Sequence, residues 1–393
     1  MVSSFDELIK QACPEGVPRV PLGSVGTFTR GSGLQKADLQ NEGFPAIHYG
    51  QVHTIYHHAI DRTCKFVGED KADGFKKAQT GDIVLATTSE DDEAVGKAVA
   101  WLGDGEVAVS GDAVIYSHKL DPAYVSYFLE SSDFQYEKLR YISGAKVRRI
   151  SPKSLEKISI PHPPLGIQRE IVRILDLFVD LDRVLEQEII GREKQFESVR
   201  DTLLLSDKYE RVPLGEIGSV AMCKRIFKRE TDRDGDVPFY KIGTFGGNAD
   251  SFIPQELFDR YRAKYPYPEV GELLISAAGT IGRIVEFDGE PSYFQDSNIV
   301  WLKHNESRLL NSYLKYCYQV IDWYTEGGTI KRLYNKNILN SEIPLPPLEV
   351  QEEIASKLDT FIEYIDNLKR ERELRQKQYA HYRDLLLDLP VKE

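Results

Sequence analysis

Two long segments of the chain carry apolar residues at alternating spacings of four and three. In the first, Ile167, Ile171, Ile174, Phe178, Leu181 and Leu185 mark one stripe, which Phe196, Val199 and Leu203 resume one position out of strict heptad register beyond a charged middle. In the second, Val350, Ile354, Phe361, Ile365, Leu368, Tyr379, Tyr382 and Leu386 repeat the scheme. This spacing is that of a coiled-coil seam. Each segment follows a double proline, Pro163 with Pro164 and Pro346 with Pro347, which cannot lie inside a helix and instead starts one. Each predicts a helix of about forty residues, roughly 60 Å long at 1.5 Å per residue. A helix that long with one apolar stripe needs a partner, and its own copy is the nearest. Pairing the two copies antiparallel would set the globular parts at opposite ends, about a pseudo-twofold axis. The alternative is that each helix packs back on its own domain or on another chain.

The rest of the chain shows a different pattern. Ile83 to Ala86, Ala98 to Trp101, Ala113 to Tyr116, Leu273 to Ser276, Ile284 to Phe287 and Ile299 to Leu302 are short runs rich in branched residues, which predict strands. Tyr124 to Leu129 and Leu309 to Trp323 predict helices. Strands first and helices later argue for α+β units and against a doubly wound sheet. The two sets are copies of one unit. Val20, Pro21, Leu22, Gly23 and Gly26 recur at an offset of 192 as Val212, Pro213, Leu214, Gly215 and Gly218. From Gly144 to Leu204 the register against Gly327 to Leu387 holds at an offset of 183 without a gap, with 23 identities in 61 positions. A duplication reorganises every later assignment. The expected organisation is two similar globular units, residues 1–160 and 207–343, joined by two long antiparallel coiled-coil helices, residues 161–206 and 344–393.

Composition narrows the functional classes. The 393 residues are too many for one ordinary core, and 41% hydrophobic with 28% charged residues is the balance of a globular chain. No stretch approaches 18 consecutive apolar residues and the first residues lack a basic-then-apolar leader, so the expectation is a cytoplasmic protein with no membrane partner. Cys13, Cys64, Cys223 and Cys317 are scattered, against a disulfide framework or a cysteine zinc site. A Walker phosphate loop ending at Gly96 and Lys97 would need a glycine where Asp91 stands and a hydroxyl where Ala98 stands. His57 and His58 are neighbours, which on a strand point to opposite faces. The proline pairs lack the flanking Asp or Asn and aromatic of an adenine methyltransferase loop. The chain is therefore expected to be no enzyme by itself and to hold no cofactor or metal.

The net charge of -12 repels a polyanion as a whole, so any nucleic-acid role must rest on local patches. One is plain. From Arg140 to Lys153 the chain carries Arg140, Lys146, Arg148, Arg149 and Lys153 with no acid, and the copy carries Lys331, Arg332 and Lys336. Gly144 and the pair Gly327, Gly328 precede them, so a turn can bring backbone amides and cations onto phosphates together. Solvated charge at a helix end is the competing account of these residues, and recurrence in both copies favours the functional one. A second loop runs through Thr87, Thr88 and Ser89 to Gly96 and Lys97, and its copy through Gly279 and Thr280 to Arg283. Small hydroxyls and glycines ending in a cation suit close approach to a sugar-phosphate backbone, and a plain reverse turn accounts for the same glycines. In the first copy Glu90, Asp91, Asp92 and Glu93 oppose phosphate, although acids accept from the cytosine amino group. Tyr49, Gln51 and Lys241 follow a third landmark of the repeat, where Gln suits adenine and Lys guanine. The competing account of these is burial in a strand.

Taken in order, the two half-repeats, the helix starts (Pro163, Pro164, Leu165, Gln168 and Pro346, Pro347, Leu348, Gln351) and the loop Gly279, Thr280, Ile281, Gly282, Arg283 resemble the specificity subunit of type I restriction-modification enzymes. The opening Glu7, Leu8, Ile9, Lys10 to Cys13, Pro14 is similar as well, so the resemblance covers essentially the whole chain. It implies two target-recognition domains, each binding one half of a split site in double-stranded DNA, with the paired helices as a ruler. It also implies partners: two methyltransferase (M) subunits docking on the helices and two motor-nuclease (R) subunits joining for cleavage. S-adenosylmethionine, ATP and magnesium belong to those partners. The acidic first loop departs from the family pattern. Two domains on a rigid rod would reach major-groove faces about one helical turn apart, roughly 34 Å, and so read two short half-sites across a fixed gap. The competing classes are a coiled-coil scaffold that never meets DNA and a specificity subunit serving a modification-only methyltransferase.

Overall fold

The computed structural model describes residues 2–328 and 331–392. The chain forms two compact units, one made of the residues up to Glu186 together with those from Arg370 onward, the other of Gln187–Lys369.

In the first unit Ile83–Ala86 is buried along its whole length, the mark of a strand covered on both faces. It lies third in a five-stranded sheet ordered Gly26–Arg30, Ala113–His118, Ile83–Ala86, Ala98–Trp101 and Ala59–Ile60, antiparallel except for the last pair. A second sheet orders Lys65–Val67, Phe44–Ile47, Val107–Val109 and Lys77–Ala78. The second unit repeats both sheets with one edge strand fewer in each: Ser219–Ala221, Ile299–Lys303, Leu273–Ser276, Ile284–Glu286, and Phe252–Ile253, Val237–Tyr240, Tyr293–Phe294. Phe44–Ile47 and Val237–Tyr240 each run parallel to a neighbour, so the copies share an unusual pairing as well as an order.

The expected strands are present, with shifts of one or two residues at their ends, and both units are α+β. The expected first-unit helix runs Pro122–Glu130, where Asp121 accepts from the amides of Ala123 and Tyr124 and Pro122 supplies a preset φ at the first turn. The helix expected over 309–323 is shorter, Asn311–Val320, because the chain turns extended at Ile321. That exit brings Trp323 over Gly282, where a Cβ would meet the indole at 3.0 Å.

The two long helices run Leu165–Leu204 and Leu348–Leu387, each starting directly after its proline pair. In the first unit Phe178 stacks on Tyr382 with centroids 5.5 Å apart, and Asp182 accepts two hydrogen bonds from Arg372, both at 2.9 Å. Residue numbers thus rise along one helix as they fall along the other, and the pair is antiparallel. In the second unit Arg192 lies over the Tyr364 ring and Glu193 pairs with Lys369 at 2.7 Å. The apolar stripe is not one uninterrupted seam, however. Ile167, Ile171, Ile174 and Leu175 enter the core of the first unit, and Ile354, Ala355 and Leu358 that of the second. Leu181, expected in the seam, is 36% exposed, while Ile189 is buried. The start of each helix packs back on its own globular part, which is the alternative weighed above, and an ideal helix drifts out of a strict seven-residue repeat over such a length.

Buried polar side chains fix each helix to its unit in the same way twice. Gln168 accepts from the Asp121 amide at 2.8 Å and donates to the Pro163 carbonyl at 2.8 Å. Gln351 accepts from the Leu310 amide at 2.9 Å and donates to the Arg308 and Pro346 carbonyls, both at 2.8 Å. Tyr127 and Tyr316 donate to Asp176 and Asp359, and Tyr124 and Tyr313 to the carbonyls of Pro161 and Pro344. Buried polar groups must find partners. These partners explain why the Gln, Asp and Pro positions are the same in both copies.

Candidate nucleic-acid interface

The basic island of the first unit is a small hairpin. Gly144 turns the chain at φ +95, a conformation that favours glycine, and a Cβ there would meet the Val147 carbonyl oxygen at 2.1 Å. Ser143 and Arg149 exchange both backbone hydrogen bonds across the turn. Arg148–Arg149 then pairs antiparallel with Thr88–Ser89, which belongs to the second loop singled out in the sequence. Two patches about 60 positions apart in the chain are thereby one continuous strand ladder. Lys146 and Arg149 are exposed on it. Arg148 is engaged by Asp92 through Nε and Nη2 and by the Gly144 carbonyl, and its hydrogen bonds hold the Asp92 carboxyl below the usual carboxylate range.

The second unit builds the same ladder. Glu326 and Arg332 exchange both backbone hydrogen bonds, Arg332 bridges to Ala278, and the Leu333 amide donates to the Ala277 carbonyl as Ile150 does to Thr87. Gly279 and Gly282 hold positive φ on either side of Thr280. The Ser276 hydroxyl accepts from the Arg283 amide at 2.8 Å and donates to the Thr280 carbonyl, which closes the loop. Lys331 is exposed, and Arg332 donates to the Asn298 side chain at 2.7 Å.

Each ladder borders a cleft. In the first unit a cleft of about 1480 Å³ is lined by Tyr49, His53, Thr88, Ser89, Lys97 and the acidic residues 90–93. In the second, a cleft of about 520 Å³ is lined by Lys241, Arg332, Arg225, Lys228, Gln295 and Asn298. Tyr49 and Lys241 reach these clefts because each follows the parallel strand of the second sheet. Lys97 donates to the His53 carbonyl at 2.9 Å, and Lys241 pairs with Asp250 at 2.7 Å.

Three sequence candidates are engaged inside their units instead. Gln51 is buried, its Oε1 accepting from the His48 amide and its Nε2 donating to the Cys64 sulfur, so it caps a short helix where a base reader was expected. Thr87 is buried and donates to the Asp112 carbonyl. Arg283 donates to the Phe245 carbonyl at 2.6 Å and ties the loop to the turn that follows Val237–Tyr240. The sequence reading missed Arg225 and Lys228, which line the second cleft. The run Lys224, Arg225, Lys228, Arg229 was the available signal. Among the described residues no cluster of three or more metal-ligating side chains occurs, and no helix is long and apolar enough to cross a membrane.

Comparison with known proteins bears on what this surface meets. A family model described as the type I restriction modification DNA specificity domain matches twice, over residues 14–191 and 206–376. The chain is 44% identical over 310 residues to a protein of Haemophilus influenzae named as a type I restriction enzyme specificity subunit, covering 75% of this chain and 77% of that one. It is 29% identical over 299 residues to a type I restriction enzyme specificity subunit of Escherichia coli, covering 69% and 71% of the two. A solved chain from a study of assembly in a type I restriction-modification system superposes with a TM-score of 0.65 at 18% identity, covering 95% of this chain and 97% of that one. The specificity subunit of M. genitalium superposes at 0.51 and 15% identity, over 94% and 95%.

Proposed function

This chain belongs to the family of type I restriction-modification DNA specificity proteins, and on that premise we propose that each of its two units reads one half of a split DNA target. As a specificity protein it is a non-catalytic recognition component. The observation that carries the finer reading is the repeated ladder: in both units a basic hairpin is bonded to a Gly- or hydroxyl-rich loop at the edge of a cleft. Exposed cations on backbone held by strand pairing suit phosphates, and the cleft side chains suit base edges. The clefts differ, Glu90 to Glu93 in one and Arg225, Lys228 and Lys241 in the other, so the half-sites should differ. Mapping methylated positions in the DNA of a host that carries this chain with its methyltransferase is expected to give two unlike short motifs across a fixed gap. A continuous or palindromic motif would overturn the reading.

The helices supply the second part of the proposal. In the first unit Leu177, Leu181 and Val184 are 52%, 36% and 61% exposed and lie one helical face apart by four and three positions. An apolar stripe left open to water on a helix already packed on its other side suits a protein partner. We assign it to a methyltransferase subunit, with motor-nuclease subunits joining the complete assembly. If that partner supplies much of the phosphate contact, a net charge of -12 is compatible with DNA binding.

Arg149→Ala or Arg332→Ala is expected to weaken binding of the assembled protein to DNA of any sequence and to make the dependence of log affinity on log salt shallower by about 0.9, the contribution of one phosphate contact. Affinity and salt slope unchanged in both variants would remove the hairpins from the interface.

A further inference from the structure

In the first unit the acidic loop and the basic hairpin are bonded to each other. Asp92 takes Nε and Nη2 of Arg148, the latter at 2.7 Å, in the forked geometry that a guanidinium also makes with a phosphate. The loop holds this position from below. Lys138, fully buried, donates to the carbonyls of Glu93 at 2.7 Å and Val95 at 2.6 Å, and Asp91 caps the Ala94 amide at 2.6 Å. Burial pushes the Lys138 ammonium down to about 8, and the two carbonyls accept its hydrogen bonds. The carboxylate is therefore presented to Arg148 by backbone that is anchored in the core. Among the described residues the second unit has no such contact at the same place: its loop offers Ala278, Gly279 and Thr280, and its hairpin offers an exposed Lys331 where Arg148 stands in the first.

We propose that Asp92 is a specificity-determining residue of the first unit, occupying Arg148 as a phosphate would until a cognate half-site seats deeply enough to take the guanidinium from it. This rests on the reading that DNA meets this face. DNA of any sequence can reach Lys146 and Arg149, which are exposed. To gain Arg148 it must separate the pair and bring a phosphate beside Asp92, with Glu90 and Glu93 exposed nearby. The half-exposed ion pair is weak in itself, so the barrier lies in the uncompensated carboxylate that remains. Base contacts made only by the right sequence offset that repulsion, and wrong sequences stop one contact short. Discrimination is thus built from an unfavourable term against the competitor.

The test uses the chain assembled with its methyltransferase and measures binding to cognate and noncognate duplexes over a series of salt concentrations. Asp92→Asn and Asp92→Ala are expected to raise noncognate affinity roughly three- to tenfold at low salt and to steepen its salt slope by about 0.9, one added phosphate contact. Cognate affinity should rise less, so the ratio of the two falls. In an Arg148→Ala background neither Asp92 variant should steepen the slope. Noncognate affinity and slope unchanged in both variants, or an equal rise for both duplexes, overturns the proposal. Lys146→Ala and Arg149→Ala separate the two levels. If they weaken binding while the Asp92 variants do nothing, this inference alone fails. If none of the four has an effect, DNA does not meet this face.

Discussion

Replacing Gln351 by leucine is expected to destabilise the second unit by roughly 3 kcal/mol. The side chain is fully buried and its amide satisfies three backbone groups, the Leu310 N–H and the carbonyls of Arg308 and Pro346. Leucine fills similar space and leaves all three without a partner. Each buried unsatisfied group costs about 1–3 kcal/mol, partly relieved by relaxation. The Leu310 amide lies at the cap of Asn311–Val320, so the loss falls on a helix start as well as on the proline turn. Against a total of about 5–15 kcal/mol for a domain this is a large fraction. Urea unfolding followed by the fluorescence of the buried Trp301 should show a midpoint lower by about 1–2 M, given a slope near 2 kcal/mol per M. Gln168→Leu should do the same to the first unit, where Trp101 is buried, by a smaller amount because two groups are orphaned in place of three. An unchanged midpoint in both variants would show that the glutamines do not hold the helices.

Inserting four residues into the charged stretch Glu186 to Gln195, with a matching insertion opposite it in the second helix, is expected to change the gap between the half-sites and leave their sequences alone. Four helical residues add about 6 Å, against about 3.4 Å per base pair, so the gap should lengthen by one or two base pairs. The stretch suits the experiment because its side chains pair along and across the helix surface, Arg192 with Glu188 and Glu193 with Lys369, and the globular cores receive their apolar residues from elsewhere on the helices. Methylation mapping reads the outcome directly. The original target should be lost and the same two motifs recovered at the new gap. Altered half-site bases, or an unchanged gap, would refute the ruler.

The sequence made part of this legible and hid the rest for definite reasons. The duplication, the proline-started helices and the central strands rest on local signals: a period of four and three, proline that cannot continue a helix, runs of branched residues. The basic islands were visible because charge and glycine spacing are written in consecutive residues, whereas their pairing as hairpins came from the fold. The capping role of Gln51 was not legible because its partners, the His48 amide and the Cys64 sulfur, are fixed by the fold around a short helix, not by composition. Arg225 and Lys228 were overlooked because their run resembles any solvated charge until a cleft forms beside it.

By itself, then, the sequence determined which elements form, that they form twice, and that the charge suited to DNA is confined to a few short segments, because each of these follows from the chemistry of neighbours along the chain. Tertiary structure alone decided which cations are open and which are engaged. Arg148 and Arg149 are adjacent and chemically alike, yet strand pairing with Thr88–Ser89 turns one toward Asp92 and leaves the other in solvent, since successive residues of a strand face opposite sides.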